Sequence, residues 1–348
     1  DENMEICVVG RNENKMESDV NIVRVASLIR RQNRCQISID SSVDLNSIEL
    51  ITKSIEQFAP DIIVNSSRAY SGLKYGSISW KAVRAYGIWS PLSIRYTKNI
   101  MEAYEKAGSD AIVINTSYSD AVIPWLKSAN KAYPDFGSGN INHLVYRFKL
   151  AAGNILSIKD YWNIDITFAV SHFHDVCISK EGHTDGMKML IDIKYHDNQL
   201  SLGIDEIISR CNIPMPVDAK RNMMNASSNF EIIQAILGAV RDGKRTKLCP
   251  GAFGEIGGYP VIIDGSGESP QAYIDKTVFS LDEMRRKNRE SIYLDGIENI
   301  QNGVLTYTDE LLHKVKKAFD VDLVKQVPYD QIDSTAEFII KEIIEKNK

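Results

Sequence analysis

The sequence predicts an α/β fold built on a doubly wound parallel sheet, and two patterns support this prediction. Short apolar runs typical of buried strands alternate with helical patterns through the first third of the chain, as in a parallel sheet with crossover helices. After about residue 150, longer strand patterns and a late helical run predict a second, α+β lobe. At 348 residues with 43% hydrophobic content, the chain can bury a core in each lobe.

Apolar spacing and breaker residues place the individual elements. Ile48, Ile51 and Ile55 recur at helical spacing, and Pro60 ends that helix before the next apolar strand. The glycine-rich stretch 251–258 precedes a strand rather than a helix, so it predicts the start of a hairpin and not a phosphate loop. The predicted strands cover residues 4–9, 36–40, 61–65 and 111–115, and the predicted helices 18–31, 46–58 and 92–107.

Composition excludes several classes of function. The net charge of −5 is spread along the chain without a basic run, which argues against nucleic acid and anionic membranes as partners. No apolar segment approaches the length of a membrane span. The five cysteines are scattered without a C-x-x-C spacing, so we expect no disulfide framework, no metal centre and a reducing, cytoplasmic setting.

The first strand is followed by Gly10, Arg11 and Asn12, and no G-x-G-x-x-G motif precedes or follows it. In a doubly wound nucleotide fold that motif ends the first strand, and a residue about 20 positions later binds the adenosine ribose. The opening strand therefore resembles a second strand, with the first βα unit expected from preceding polypeptide. Arginine at the ribose position favours the 2′-phosphate of NADP, with NAD as the alternative. A strand of any α/β protein followed by a solvated arginine would look the same.

Several segments occur in an order that points to a known family. Gly137-Ser138-Gly139 matches a G-[SL]-G motif, and the others are residues 8–17, 61–67, 112–120, 235–237, 258–267 and 282–284 with Ser291. This order resembles the lactate/malate dehydrogenase family, most closely its archaeal and NADP-type malate dehydrogenases. The resemblance implies a Rossmann-type domain followed by a catalytic lobe. It also implies hydride transfer between NADP and a 2-hydroxy or 2-keto acid, in a homodimer or homotetramer.

In that family a histidine moves the substrate proton. His172 matches its position, although the flanking glycines are absent, and His174 follows two residues later. If the preceding strand continues, both histidines share one face and Asp175 lies on the other. A His-x-His pair could equally bind a metal or form a buried polar patch.

The family's orienting aspartate and clamping arginine map to His143 and Arg147, one residue out of register. Since a histidine cannot stabilise a neighbouring imidazolium as a carboxylate does, another acid, such as Asp175 or Asp120, would have to replace the aspartate. His143 could also be a capping or core residue.

The resemblance assigns further roles around the pocket. Arg84 matches the arginine that polarises the carbonyl group, and Arg68 is a candidate for the arginine that selects the substrate. Ser228 matches a pocket serine or threonine, with a helix cap as the alternative. The cofactor contacts are expected at Gly10, Arg11, Asn12, Ser66 and Asn115, although Asn115 could instead cap the turn that follows it. Five rings in the segment 66–89 predict either a bulkier substrate or packing of that segment against its own lobe or another subunit.

These inferences give three regions and one leading function. The dinucleotide-binding domain is expected at 1–136, the substrate domain at 137–328 and a helical tail at 329–348. The function is NADP-dependent oxidation of a hydroxy acid or reduction of a keto acid. Two alternatives remain, a metal-dependent enzyme similar to family 4 glycosidases and a non-catalytic binding module on the same fold.

Overall fold

The computed structural model of the chain describes residues 4–30, 35–200 and 203–347. Arg31, at the end of a predicted helix, and Lys348, at the end of the predicted tail, lie outside these ranges. The strands are β1 Glu5–Val9, β2 Gln36–Asp40, β3 Ile62–Asn65, β4 Ile112–Asn115, β5 Phe136–Gly137, β6 Ile164–Ala169, β7 Leu190–Tyr195, β8 Asn198–Gln199, β9 Lys244–Pro250, β10 Gly258–Asp264, β11 Gln271–Ile274, β12 Ile297–Gln301, β13 Val304–Tyr307 and β14 Gln326–Pro328. The helices are α1 Glu13–Arg30, α2 Ile48–Phe58, α3 Gly72–Ala82, α4 Ser90–Lys106, α5 Ser119–Ser128, α6 Asn140–Leu156, α7 His172–Glu181, α8 Ile204–Ser209, α9 Asn222–Asp242, α10 Leu281–Leu294, α11 Asp309–Phe319 and α12 Ile332–Ile339.

The chain divides into two compact units, residues 1–61 with 98–111 and residues 62–97 with 112–348. The predicted domain limits at residues 136 and 328 stay predictions. In the first unit β1 and β2 form a parallel pair, in register from Glu5 opposite Gln36. Helix α2 buries Ile51 and Ile55, as their spacing predicts, and Ser47 Oγ accepts the Leu50 amide at its start.

The second unit contains a parallel sheet in the order β3, β4, β5. Its carboxyl end consists of Asn65, Asn115 and Gly137, which are aligned in register. Gly137 fits there because a Cβ atom at this position would collide with the carbonyl oxygen of Pro250. Ligands of open α/β sheets bind at this end of the strands, so this sheet sets the place of the site.

Antiparallel sheets follow in the rest of the second unit, in the orders β6-β7-β8, β11-β10-β9 and β12-β13-β14. β9 and β10 form a hairpin whose connection contains the glycine-rich stretch 251–257, which confirms the predicted hairpin. One apolar core packs Phe148 and Phe168 between α6 and β6. Another packs Tyr259 and Met284 around β9 and β10.

The C-terminal tail packs on its own unit. Ile339 in α12 and Ile343 and Ile344 in the π-helical segment after it are buried, whereas Phe338 is exposed. Arg95 on α4 pairs with Asp333 and Glu337 of α12 at 3.4 and 3.2 Å. The predicted amphipathic helix is therefore present, and it packs on its own chain.

One predicted strand ends earlier than the alternation suggested. β6 stops at Ala169, Ser171 takes the N-cap position, and α7 begins at His172. Residues two apart on a helix are about 200° apart around its axis. The expectation that His172 and His174 share one strand face is therefore wrong. Within the described ranges, no helix combines the length and the apolarity that crossing a bilayer requires.

Candidate active site

A cavity of about 90 Å³ lies in the second unit, beside the carboxyl end of its parallel sheet. It brings together two of the predicted site residues, Arg68 and His172. The other residues that line it are Gly72, Tyr75, Tyr86, Trp89, Ser93, Thr116, Tyr118, Ser119, Asp120, Ser138, Ile141 and Pro250. The volume equals that of about three water molecules in the liquid, so in this conformation the cavity admits only a small group.

His172 is paired with a carboxylate that sequence reasoning missed. Its Nδ1 lies 3.1 Å from Oδ2 of Asp295, which is fully buried. Asp295 directly follows α10 and is held in place through its backbone, since its carbonyl accepts the Gly87 amide at 2.8 Å. A carboxylate at Nδ1 fixes the tautomer and orientation of the ring, so the pair has the geometry of a catalytic His–Asp dyad.

Two tyrosines complete the surroundings of Asp295. The hydroxyl of Tyr118 donates to Oδ2 at 2.6 Å, and the backbone amide of Tyr86 donates to Oδ1 at 2.7 Å. Their rings meet His172 edge-on, with centroid distances of 5.1 Å for Tyr86 and 5.0 Å for Tyr118. Burial and the charge of Asp295 raise the pKa of both phenols. The tyrosines therefore serve as neutral donors and walls.

Buried carboxylates dominate the electrostatics around His172. Oδ2 of Asp120 accepts a hydrogen bond from the backbone amide of His172 at 2.9 Å. Asp120, on another helix, thus supplies an acceptor for one of the amides in the first turn of α7 that have no partner within the helix. Burial raises the pKa of Asp120 and of Asp175 to about 6. Burial alone would lower the pKa of His172, but the hydrogen bond and charge of Asp295, with the other two carboxylates, outweigh it and raise that pKa.

The cavity offers two further groups to a ligand. Arg68 is exposed and lines the cavity, so its guanidinium can meet an anion there. Ser138 is buried, and its Oγ has no hydrogen-bond partner in the described part of the chain. A buried hydroxyl without a partner costs free energy that a ligand can recover by bonding to it.

Comparison with solved structures shows which known proteins share this fold. The malate dehydrogenase from Aeropyrum pernix matches with a TM-score of 0.53 and 15% identity, over 84% of this chain and 89% of that one. A lactate dehydrogenase from a Medee basin deep-sea metagenome library matches with a TM-score of 0.47 and 11% identity, over 84% of this chain and 97% of that one. No protein-family model and no curated protein matches the sequence.

The chain has the malate dehydrogenase fold. The predicted class, a Rossmann-type α/β sheet followed by an α+β lobe, is thereby confirmed. The predicted subtype within the family is not decided by this similarity. The roles of the predicted site residues are not tested by it either, and their positions follow from the structure.

Arg84, the predicted carbonyl-polarising arginine of this fold, does not line the His172 cavity. Its guanidinium forms ion pairs with Glu181 at 2.6 Å and Asp185 at 2.9 Å. These hydrogen bonds raise its pKa further. Arg84 also adopts a left-handed backbone conformation with φ of 52°.

Arg147, His143 and His174 lie away from the cavity lining. Nη1 of Arg147 donates to the Cys211 carbonyl at 2.9 Å, and burial lowers the pKa of this guanidinium. Burial also lowers the pKa of His143 and of His174 to about 4. The ring of His174 bonds to Ser291 Oγ at 2.7 Å and to the Thr184 carbonyl at 2.9 Å, which matches the buried polar alternative.

Asn115 uses its amide within the chain. Nδ2 donates to the Ser117 carbonyl at 3.1 Å and to Ser119 Oγ at 3.0 Å, while Oδ1 accepts from Asn65 at 2.9 Å. This is the turn-capping arrangement. Ser66 is exposed just after β3, and Ser228 is buried on α9.

Gly10, Arg11 and Asn12 belong to the first unit. Asn12 caps α1, because its Oδ1 accepts the Lys15 amide at 3.0 Å. Arg11 is exposed, and its charge contributes to lowering the pKa of Asp44, after the stronger effect of the Asn46 hydrogen bonds. Arg11 therefore remains accessible for an anion.

The aromatic segment 66–89 contains a helix, α3, and packs against its own unit. Tyr75 and Trp89 are buried, with ring centroids 4.7 Å apart. With a cavity of about 90 Å³, this arrangement favours the packing alternative over a bulky substrate. A larger open groove, about 1040 Å³, runs along α10, but its lining contains none of the predicted site residues.

Sequence reasoning missed Asp295 because its partner is 123 residues away. The sequence contains only a local indication of its position: Asp295 and Gly296 follow a long amphipathic helix, where a turn is expected. Asp120 was considered as an orienting acid, but it bonds to the backbone of His172. The acid that the structure places at Nδ1 of His172 is Asp295, which the sequence analysis did not name.

Replacing Asp295 with asparagine is expected to lower the pKa of His172. The amide keeps the size of the side chain and a hydrogen-bonding group at Nδ1, but it removes the negative charge that stabilises the imidazolium. The measurement is an NMR titration of the His172 ring. Asp282→Asn, on the exposed first turn of α10, is the control. An equal pKa of His172 in both variants would refute the dyad.

Replacing Asp175 with asparagine is expected to stabilise the fold increasingly as the pH rises. The folded-state pKa of Asp175, about 6, exceeds the ordinary value of 3.8 for an aspartate, so the native state binds more protons between these values and wild-type stability falls as the pH rises through this window. The shift corresponds to about 3 kcal/mol at full ionisation.

The measurement for Asp175→Asn is the free energy of unfolding in urea at pH 4 and pH 8. The difference from wild type should grow at the higher pH. Asp165→Asn, at an exposed position of β6, is the control. A difference for Asp175→Asn that is the same at both pH values would contradict the buried, proton-binding carboxyl.

Proposed function

We propose that this chain is an oxidoreductase that transfers a hydride between a nicotinamide nucleotide and a small 2-hydroxy or 2-keto acid. The observation that carries the proposal is the His172–Asp295 pair in a cavity that Arg68 also lines. The malate dehydrogenase fold supports it, although a fold alone does not establish a reaction. The size of the cavity favours a short-chain acid.

His172 would act as the proton donor and acceptor. In keto-acid reduction its imidazolium gives the proton at Nε2 to the carbonyl oxygen as that oxygen gains charge, and in the reverse direction it takes the hydroxyl proton. Asp295 stabilises the imidazolium through Nδ1. The raised pKa of His172 favours the protonated form that reduction requires.

Arg68 would bind the substrate carboxylate. A guanidinium offers two parallel N–H donors to a carboxylate, which fixes the orientation of the acid as well as its position. The hydroxyl of Ser138, which has no partner among the described residues, can donate to the same ligand. With its carboxylate on Arg68, the acid would present its α-carbon to His172, which lines the same cavity.

The residues present fit a nicotinamide nucleotide in part. The orphaned Ser138 Oγ and the exposed Ser66 follow strands of the parallel sheet, where the nicotinamide end of such a cofactor binds in this fold class. A glycine-rich phosphate loop between a parallel strand and a helix is absent from residues 4–30, 35–200 and 203–347. The bound nucleotide would supply or accept the hydride.

Replacing His172 with glutamine is expected to lower kcat for keto-acid reduction by about 100-fold or more, the usual contribution of a general acid. The measurement follows NADPH and NADH consumption with glyoxylate, pyruvate and oxaloacetate. His196→Gln, at an exposed position between β7 and β8, is the matched control.

The outcomes separate the proposed function from its alternative. Turnover unchanged by His172→Gln would remove the acid/base assignment. If neither nucleotide changes its fluorescence on titration with the protein, the non-catalytic binding module replaces the enzyme.

Arg11 carries the preference for NADP. Arg11→Gln is expected to weaken NADPH binding about tenfold or more while leaving NADH binding nearly unchanged. Only NADPH has a 2′-phosphate, and the variant removes the charged hydrogen bond that Arg11 would donate to it. Fluorescence titration with both nucleotides measures this. Lys15→Gln, an exposed cation paired with Asp19 on the next helix, is the control, and equal weakening of both nucleotides by Arg11→Gln would refute the preference.

A further inference from the structure

The end of α7 gathers three side chains of the kinds that bind transition metals. Cys177, Glu181 and His183 each offer one ligand atom, and these atoms all lie within 4.8 Å of one another. Cys177 and Glu181 are four residues apart on α7 and so share a face. Gly182 then ends the helix in a left-handed conformation with φ of 72°, which turns His183 back towards that face.

The distances suit a tetrahedral cation. Cys177 Sγ lies 3.5 Å from Glu181 Oε2 and 3.6 Å from His183 Nδ1, and His183 Nε2 lies 3.2 Å from Glu181 Oε2. Zinc binds cysteine sulfur at about 2.3 Å and histidine nitrogen at about 2.0 Å, which makes the edge of a tetrahedron about 3.5 Å. Because the two histidine distances involve different nitrogens of the ring, and Nδ1 also accepts the Asp185 amide at 3.2 Å, the His183 side chain must turn to direct one nitrogen at a shared ion.

We propose that Cys177, Glu181 and His183 bind a zinc-type divalent cation, with water as the fourth ligand. Thiolate, imidazole and carboxylate together select Zn²⁺ or Co²⁺ over the hard cations Mg²⁺ and Ca²⁺. The His183 side chain is 52% exposed and that of Glu181 29%, so an ion can reach the site from solvent. The site lies at the opposite end of α7 from His172.

Arg84 occupies part of this space and acts as the competing cation. Its Nη2 lies 2.6 Å from Glu181 Oε2 and 3.5 Å from Cys177 Sγ, while Nη1 is held by Asp185 at 2.9 Å. With His183 neutral, the two carboxylates and Arg84 leave one net negative charge. A divalent ion bound to the Cys177 thiolate would neutralise it.

Binding exchanges bonds in a balanced way. The metal displaces Nη2 of Arg84 from Glu181 and, when Nδ1 of His183 is the ligand atom, it also displaces the Asp185 amide from that nitrogen. The bond from Nη1 of Arg84 to Asp185 remains. The thiol of Cys177 loses its proton to solvent as the metal–sulfur bond forms. No electron is transferred, and no partner beyond the aqueous ion is required.

The test titrates the full chain, first treated with a chelator, with Co²⁺ and then with Zn²⁺. The expected result is one Co²⁺ per chain with a thiolate-to-cobalt absorption band, which Zn²⁺ abolishes by displacement. His183→Ala and Cys177→Ser should each lose the band. Because His183 is exposed, its variant is expected to keep the fold even if Cys177→Ser does not.

Matched controls identify the site. His196→Ala and Cys211→Ser should keep the band, and Arg84→Gln should tighten Co²⁺ binding by removing the competing cation. A wild-type chain that binds no Co²⁺ would overturn the proposal, as would a band that survives His183→Ala. Neither result bears on turnover at His172, which is measured separately.

Discussion

The arrangement of the candidate site depends on the buried carboxylate of Asp295. It joins four parts of the second unit: the end of α10, the backbone of Tyr86, the hydroxyl of Tyr118 and the ring of His172. An ionised carboxylate without these donors would be too costly to bury. Each donor therefore compensates the charge of Asp295 and is positioned by it. The carboxylate that orients the His172 ring also holds Tyr86 and Tyr118, which line the cavity.

Three buried carboxylates and one imidazole set the charge of the candidate site. Asp120, Asp175 and Asp295 are all buried near one imidazole. The raised pKa values of Asp120 and Asp175, about 6, mean that these groups take up protons more readily than exposed carboxyls. Proton uptake there, as the pH falls towards 6, lowers the negative charge around His172.

Local patterns predicted the fold better than the site. The strands at residues 62–65 and 112–115, the helix that ends before Pro60 and the hairpin at residues 251–257 each follow from spacing and breaker residues a few positions apart. His172 was singled out because it matches the position of the family's proton-transferring histidine, and the structure places it in the wall of the cavity; its role stays a prediction. Alternation alone could not show that the strand stops at Ala169, because the first turn of the following helix is held by Asp120, which is 52 residues away from His172 in sequence. The pairing of Asp295 with His172 could not be predicted either, because the two residues are far apart in the sequence and hydrophobic periodicity indicates only local structure.

The position of Asp295 shows what the chemistry of such a dyad requires. The imidazole needs a carboxylate at Nδ1, with the right distance and direction, and it does not matter which element supplies it. In this chain His143 stands where the resemblance places the orienting acid, and the residue after α10 supplies the carboxylate instead. A carboxylate that is 123 residues away from its histidine in sequence is therefore found from the spatial arrangement and not from a local motif.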